Sequence, residues 1–124
     1  MRTLNYLLLP VRDPAASTRL YTRMLGLEPV HTSPAFVLYL LPNGVKLGLW
    51  AREDIQPPAG PPGGLEISFT EPDHEAVLET LGAWTKLGLE VLQSPTETPF
   101  GFTFVVADPD GHRLRVFAPP AQPR

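Results

Sequence analysis

The chain has 124 residues, a 43% apolar fraction and a net charge of −3, a size that suits one compact domain or two small fused modules. Eight of its ten basic residues are Arg, and they are scattered, which argues against the basic stripe of a nucleic-acid partner. The absence of cysteine excludes a disulfide framework, a thiol nucleophile and a Cys-type zinc site.

Residues 3–11, TLNYLLLPV, read as a strand buried on both faces. The opening apolar run is too short for a secretory core, and no stretch approaches the roughly 20 apolar residues of a membrane span. A cytoplasmic protein with no membrane partner is the expectation. Asp13-Pro14 then opens a helix, with Asp as N-cap and Pro in the first turn. Ala16, Leu20 and Met24 form its apolar stripe, flanked by Tyr21 and Leu25, and Gly26 ends it. Three strands are expected near 27–32, 35–41 and 44–50, the last two joined by an Asn43-Gly44 hairpin.

Proline is abundant, with 16 residues, and much of it lies in QPPAGPPGG (56–64) and APPAQPR (118–124). These segments read as linker and tail. After the linker the order repeats. LEISF (65–69) is a strand, and Asp73 caps a helix reaching Lys86 with Val77, Leu78, Leu81 and Trp84 inward. Strands follow near 89–93, 101–107 and 112–118, with a hairpin at Asp110-Gly111.

The halves also match in letters. LGLEPV (25–30) is echoed by LGLEVL (87–92), and LPNGVKLGLW (41–50) by DPDGHRLRVF (108–117). The offset grows between the two matches because of a longer loop expected around SPTETPFG. The pattern predicts an α+β fold of two βαβββ modules. The expected boundaries are 1–50 for the first module, 51–64 for the linker, 65–118 for the second module and 119–124 for the tail.

VRDPAASTRLYTRMLGLEPV resembles the first-module signature of the glyoxalase / bleomycin resistance / dioxygenase group, the vicinal oxygen chelate superfamily. FVVADPDGHRLRVF resembles its second-module ending. The resemblance runs from about Leu4 to Phe117. It implies curved sheets with helices outside and a ligand cavity inside, and commonly a homodimer. In the enzymes of the group a metal is held by four positions on the first and last strands of the modules. Carried onto this chain, those positions are Tyr6, Gly48, Glu66 and Arg115. Only Glu66 is an ordinary metal ligand. Gly48 has no side chain, and Arg115 is a permanent cation that repels a metal. No metal and no other cofactor is therefore expected. His31, His74 and His112 fall outside the inward positions. No G-x-S-x-G motif is present, and GPPGG lacks the Lys-Ser/Thr of a phosphate loop.

Strand alternation places Lys46, Gly48 and Trp50 on one inward row, Glu66, Ser68 and Thr70 on another, and Arg113, Arg115 and Phe117 on a third. Of these, Lys46, Gly48, Trp50, Glu66, Arg113, Arg115 and Phe117, with Tyr6, Phe102 and Phe104, make the candidate ligand-binding set, an apolar body with few polar handles. Gly48 is either a strand irregularity or room for a planar group. Trp50 is either a ligand wall or a core or dimer contact. Arg115 is expected to pair with Glu66 in place of the missing metal. The LGLW ending of the fourth strand, followed by a Pro-rich loop, resembles the branch that lacks the metal set and sequesters antibiotics unchanged, so non-catalytic binding of a small aromatic molecule is the first reading. A metal-dependent glyoxalase- or dioxygenase-like enzyme with an atypical ligand set is the alternative. A closed interaction module is a third.

Overall fold

A computed structural model describes residues 1–120. The backbone forms two compact units, one spanning Met1–Pro61 and one beginning at Pro62. The first contains β1 (Tyr6–Val11), α1 (Pro14–Leu25), β2 (His31–Thr32), β3 (Phe36–Leu40) and β4 (Lys46–Ala51), followed by a single 3-10 turn at Arg52–Asp54. The second contains β5 (Glu66–Thr70), α2 (His74–Thr85), β6 (Glu90–Thr98), β7 (Gly101–Ala107) and β8 (Arg113–Ala118). Each unit is thus a βαβββ module. The strand orders are β1-β4-β3-β2 and β5-β8-β7-β6. The outer strand of each pair β1/β4 and β5/β8 runs parallel to its neighbour, and the hairpin strands are antiparallel.

Local chemistry sets the helix ends in both units. Ala16 N–H donates to Asp13 Oδ1 at 3.2 Å, and Ala76 N–H donates to Asp73 Oδ1 at 2.8 Å. Each cap satisfies an amide that the first helical turn cannot pair internally. Gly26 closes α1 with φ of +64°, the left-handed conformation that costs glycine no Cβ clash.

One face of each sheet packs on its helix. In the first unit Leu9, Val11, Val37, Tyr39, Leu47 and Leu49 are buried there with Tyr21 and Met24 of α1. The Tyr39 hydroxyl meets Thr22 Oγ1 at 2.9 Å and donates to the Thr18 carbonyl at 3.1 Å, so burial pushes its pKa up without leaving it unpaired. In the second unit Trp84 of α2 packs edge-on against Phe69 and Phe104, with Leu114 and Val116 buried beside them. Each fully buried side chain of this size contributes roughly 1.5–3 kcal/mol.

Several sequence expectations change, among them Leu78, expected inward on α2 but exposed. β1 is buried on one face only: Leu9 and Val11 are covered, whereas Tyr6 and Leu8 are exposed. Its unbroken apolar run hid an ordinary alternation. The buried stripe of α1 is Ser17, Tyr21 and Met24, while Ala16 and Leu20 are half-buried at its margin. The expected loop around SPTETPFG is largely strand, because β6 continues to Thr98 through two register shifts. Among the described residues no helix is long and apolar enough to cross a membrane. The tail expected from 119 onward lies mostly outside the described residues.

Candidate functional site

The face of each sheet turned away from its helix carries the candidate residues. In the first unit Lys46 pairs with Tyr6, and Gly48 with Leu8, across the parallel strands. Lys46 Nζ sits 5.8 Å from the Tyr6 ring centroid, over its face. Gly48 is covered from above. A Cβ there would lie 2.8 Å from Leu8 Cδ2 and 2.8 Å from Phe36 Cζ. The space left by the missing side chain is therefore taken by the chain's own Leu8 and Phe36. Phe36 in turn meets Trp50 edge-on, with centroids 6.2 Å apart. Tyr6, Lys46, Gly48 and Trp50 thus share one face.

The second unit holds a defined cavity of about 630 Å³, lined by Glu66, Gln93, Thr98, Pro99, Phe100, Thr103, Arg115 and Phe117. Its floor is an ion-pair network. Arg115 Nε donates to Glu66 Oε1 at 2.8 Å and Nη2 donates to Oε2 at 3.1 Å. Arg113 Nη2 reaches the same Oε2 at 2.8 Å. The pairing follows from topology: β5 and β8 are parallel neighbours, with Arg113 directly opposite Glu66 and Arg115 one inward step along. Arg115 Nη1 donates to Gln93 Oε1 and to Thr103 Oγ1, each at 3.2 Å. Four hydrogen bonds therefore fix one planar guanidinium.

The electrostatics follow from this geometry. The hydrogen bond from Arg115 holds the Glu66 carboxyl below its ordinary range. Partial burial opposes that shift, and the charges of Arg115 and Arg113 reinforce it. Both Glu66 oxygens accept from guanidinium groups.

Glu66, Arg113, Arg115 and Phe117 stand together, as strand alternation predicted. Phe102 and Phe104 do not join them. Phe104 pairs with Val116 and Phe102 with Ala118, which places both on the helix side. Phe104 is buried against Trp84, and Phe102 stacks on His74 with centroids 4.2 Å apart. His74 also meets Glu97 at 3.1 Å on an exposed surface. The candidate set lacked Gln93, Thr98, Pro99, Phe100 and Thr103. Thr103 was legible, because it lies directly opposite Phe117 in the hairpin. Gln93 was not. The register shifts on either side of it insert extra residues into β6, and an inserted residue reverses which face a side chain takes.

The turn at the cavity mouth is tightly built. Thr98 Oγ1 donates to the Gly101 carbonyl at 2.8 Å and accepts from Phe100 N–H at 3.2 Å. Gly101 has φ of +136°, and a Cβ there would run into the Ala118 carbonyl. Phe100 is presented from this turn and is 81% exposed. A separate cavity of about 470 Å³ in the first unit, beside Arg12, Arg52 and Gln56, contains none of the candidate residues. There Arg52 Nη2 donates to the carbonyls of Ala59 and Gly60.

The metal that the resemblance implies for enzymes of the group does not fit this donor set. The acid at the third position is occupied by two guanidinium groups, and one of those cations stands at the fourth position itself. Among the described residues no three His, Cys, Asp or Glu side chains form a metal-holding group.

Each unit is a four-stranded sheet with one helix against one face, and the second unit carries a pocket walled by Phe100, Phe117 and Pro99 on the other face. The chain belongs to the Glyoxalase/Bleomycin resistance protein/Dioxygenase superfamily, whose family model matches residues 3–116. It is 32% identical over 117 residues to the phenazine antibiotic resistance protein EhpR of Enterobacter agglomerans, covering 92% of this chain and 90% of that one. Among solved structures, it is similar to protein ATC0852 from Agrobacterium tumefaciens, with 43% identity, coverage of 98% and 100%, and a TM-score of 0.91. It is also similar to a glyoxalase-related enzyme from Fulvimarina pelagi, with 26% identity, coverage of 99% and 92%, and a TM-score of 0.88.

Proposed function

We propose that this protein binds and sequesters a small aromatic molecule without changing it, in the manner of an antibiotic-resistance protein. The observation that carries this reading is the second unit's cavity. Its walls are Phe100, Phe117 and Pro99, and its floor is an arginine–glutamate network in place of a metal ligand set. The mechanism is desolvation of a flat ligand against the aromatic rings, with a few polar groups fixing its orientation. The name of the relative EhpR supports a resistance role and supplies a first probe, a phenazine.

The working form in this reading is a homodimer. Tyr6, Leu8 and Leu40 leave the first unit's sheet with exposed apolar side chains, the kind of surface that a second copy covers. Sedimentation at tens of micromolar, on the order of ordinary assay concentrations, checks this part, and a monomer there removes it.

The test of function has two arms. A thermal-shift screen with phenazines should raise the melting temperature, because a ligand that binds only the folded state stabilises it. Chromatography of the released ligand should then return it unaltered. A chemically changed ligand, or a shift that requires Mn, Fe, Ni or Zn, moves the assignment to a metal-dependent enzyme of the superfamily.

A further inference from the structure

We propose that Thr98 is a positioning residue for ligand binding in the second unit: its hydroxyl holds Phe100 at the mouth of the cavity before the ligand arrives, and it acts on the ligand through that ring. This rests on the aromatic-ligand reading above and adds the residue that pre-organises the wall of the site.

The turn that carries Phe100 is a two-residue connection. Thr98 and Gly101 are the last register partners of β6 and β7, which leaves Pro99 and Phe100 between them. Connections this short usually take a primed turn, whose positive backbone angles follow the twist of the strands. Pro99 is confined to negative φ, and among the described residues no non-glycine has a positive φ. The order Thr-Pro-Phe-Gly instead suits an ordinary turn, with proline second and glycine fourth. Such a turn works against the strand twist, so it needs support beyond its own backbone.

Thr98 supplies that support. Its Oγ1 donates to the Gly101 carbonyl at 2.8 Å and accepts from Phe100 N–H at 3.2 Å. One hydroxyl thus ties both sides of the tip together. Pro99 adds a restriction from within, because its ring fixes its own φ and keeps the preceding Thr98 extended. Gly101 receives the chain at φ of +136°, and the place of its missing Cβ is taken by the Ala118 carbonyl. The far side of the turn is therefore seated on the end of β8.

This is an unusual setting for an aromatic side chain. Phe100 is 81% exposed, yet its backbone is held on both sides. A ring so placed adds little to the core. It does line the cavity, together with Thr98 and Pro99. An aromatic wall fixed in advance removes the entropy cost of ordering it when the ligand binds. On a loose turn that cost would recur with every binding event.

Thr98 itself lines the cavity, so direct contact with the ligand is the rival account. Phenazine separates the two. The hydroxyl proton already goes to Gly101, which leaves Thr98 one lone pair to offer a ligand. Phenazine has no hydrogen-bond donor and cannot use it.

The test is calorimetric titration of the full chain with phenazine in a double-mutant cycle of Thr98→Val and Phe100→Ala. Valine keeps the outline of threonine without the hydroxyl, and Phe100 is exposed enough to be replaced without disturbing the core. Thr98→Val should weaken phenazine binding about fivefold or more, as the cost of ordering a side chain on binding predicts. Thr98→Ser keeps the hydroxyl and should restore most of the loss. In the Phe100→Ala background the same valine should change affinity by less than about twofold, since the ring it acts through is gone. Without ligand, exchange of the Phe100 amide proton should be about threefold or more faster in Thr98→Val. Undiminished affinity in Thr98→Val, an equal loss with and without the Phe100 ring, a serine variant as weak as the valine one, or an unchanged exchange rate overturns the positioning role and leaves the aromatic-ligand reading standing. No phenazine binding by the native chain removes that reading, and this inference with it.

Discussion

Arg115 and Glu66, 49 positions apart in sequence, meet in a two-point contact of 2.8 and 3.1 Å across neighbouring parallel strands. About a quarter of each side chain remains exposed to solvent. Their joint removal from water is therefore incomplete, and the pair falls short of the largest values known for buried ion pairs.

Arg115→Ala should accordingly destabilise the fold by about 1.5–3 kcal/mol, below the roughly 3–5 of a fully buried pair. Arg115→Lys should recover only part, since an ammonium cannot span both carboxylate oxygens and also reach Gln93 and Thr103. Urea unfolding of the two variants and of Glu66→Gln, arranged as a double-mutant cycle, checks this. Additive effects would show that the contact carries no coupling.

The pH dependence has a definite sign. The folded-state pKa of Glu66 lies below its ordinary value of 4.5. Its stabilising contribution is thus complete above that value and is lost as pH falls through the lowered folded one. The stability difference between the native protein and Glu66→Gln should be constant from neutral pH down to about 5 and should shrink below that. A difference that instead grows on acidification contradicts the assignment.

Two glycines should respond differently to alanine. At Gly48 the added methyl meets the outer ends of Leu8 and Phe36, which are able to move, so the cost should be about 1 kcal/mol. Trp50 emission should shift with it, because Phe36 packs against that ring. At Gly101 the methyl meets backbone in a conformation that L-residues rarely adopt, so Gly101→Ala should cost more than about 2 kcal/mol. Thermal denaturation ranks the two, and the reverse order would contradict both packing descriptions.

The two tryptophans should separate by accessibility. Trp84 is buried between Phe69 and Phe104, whereas Trp50 is half-buried on the opposite kind of sheet face. Acrylamide should quench the emission of Trp84→Phe, which reports Trp50, more strongly than that of Trp50→Phe. Trp84→Phe should lower stability by about 1–3 kcal/mol through loss of core contacts. A phenazine titration of the same two proteins reads out whether Trp50 takes part in binding.

Much of the module plan was legible because its punctuation is local. Asp13 and Asp73 cap helices, Gly26 ends one, and the Asn43-Gly44 and Asp110-Gly111 turns join strands where their chemistry predicts. The meeting of Glu66 with Arg115 was legible for a different reason: it needs only the parallel neighbour relation of β5 and β8 and regular alternation along both. Phe102 and Phe104 were misplaced because composition was followed there instead of register. Their partners Ala118 and Val116 already belonged to the helix side. Gln93 lay beyond the pattern, since an irregular strand erases the alternation that sequence reasoning depends on.

The strand order β5-β8-β7-β6 has a consequence for biosynthesis. The last strand of this sheet in chain order, β8, is an interior one, bonded to β5 on one side and to β7 on the other. While β8 is still inside the ribosome, β5 has no neighbour in its sheet, and the β6–β7 hairpin stands apart from it. The partner of Glu66 is also still to come, because Arg115 travels on that same strand. A stop codon at or before Arg113 would therefore take away more than a frayed end. It would remove the seam of the sheet and leave a carboxylate without its counter-ion, a product suited to proteolysis rather than to partial activity.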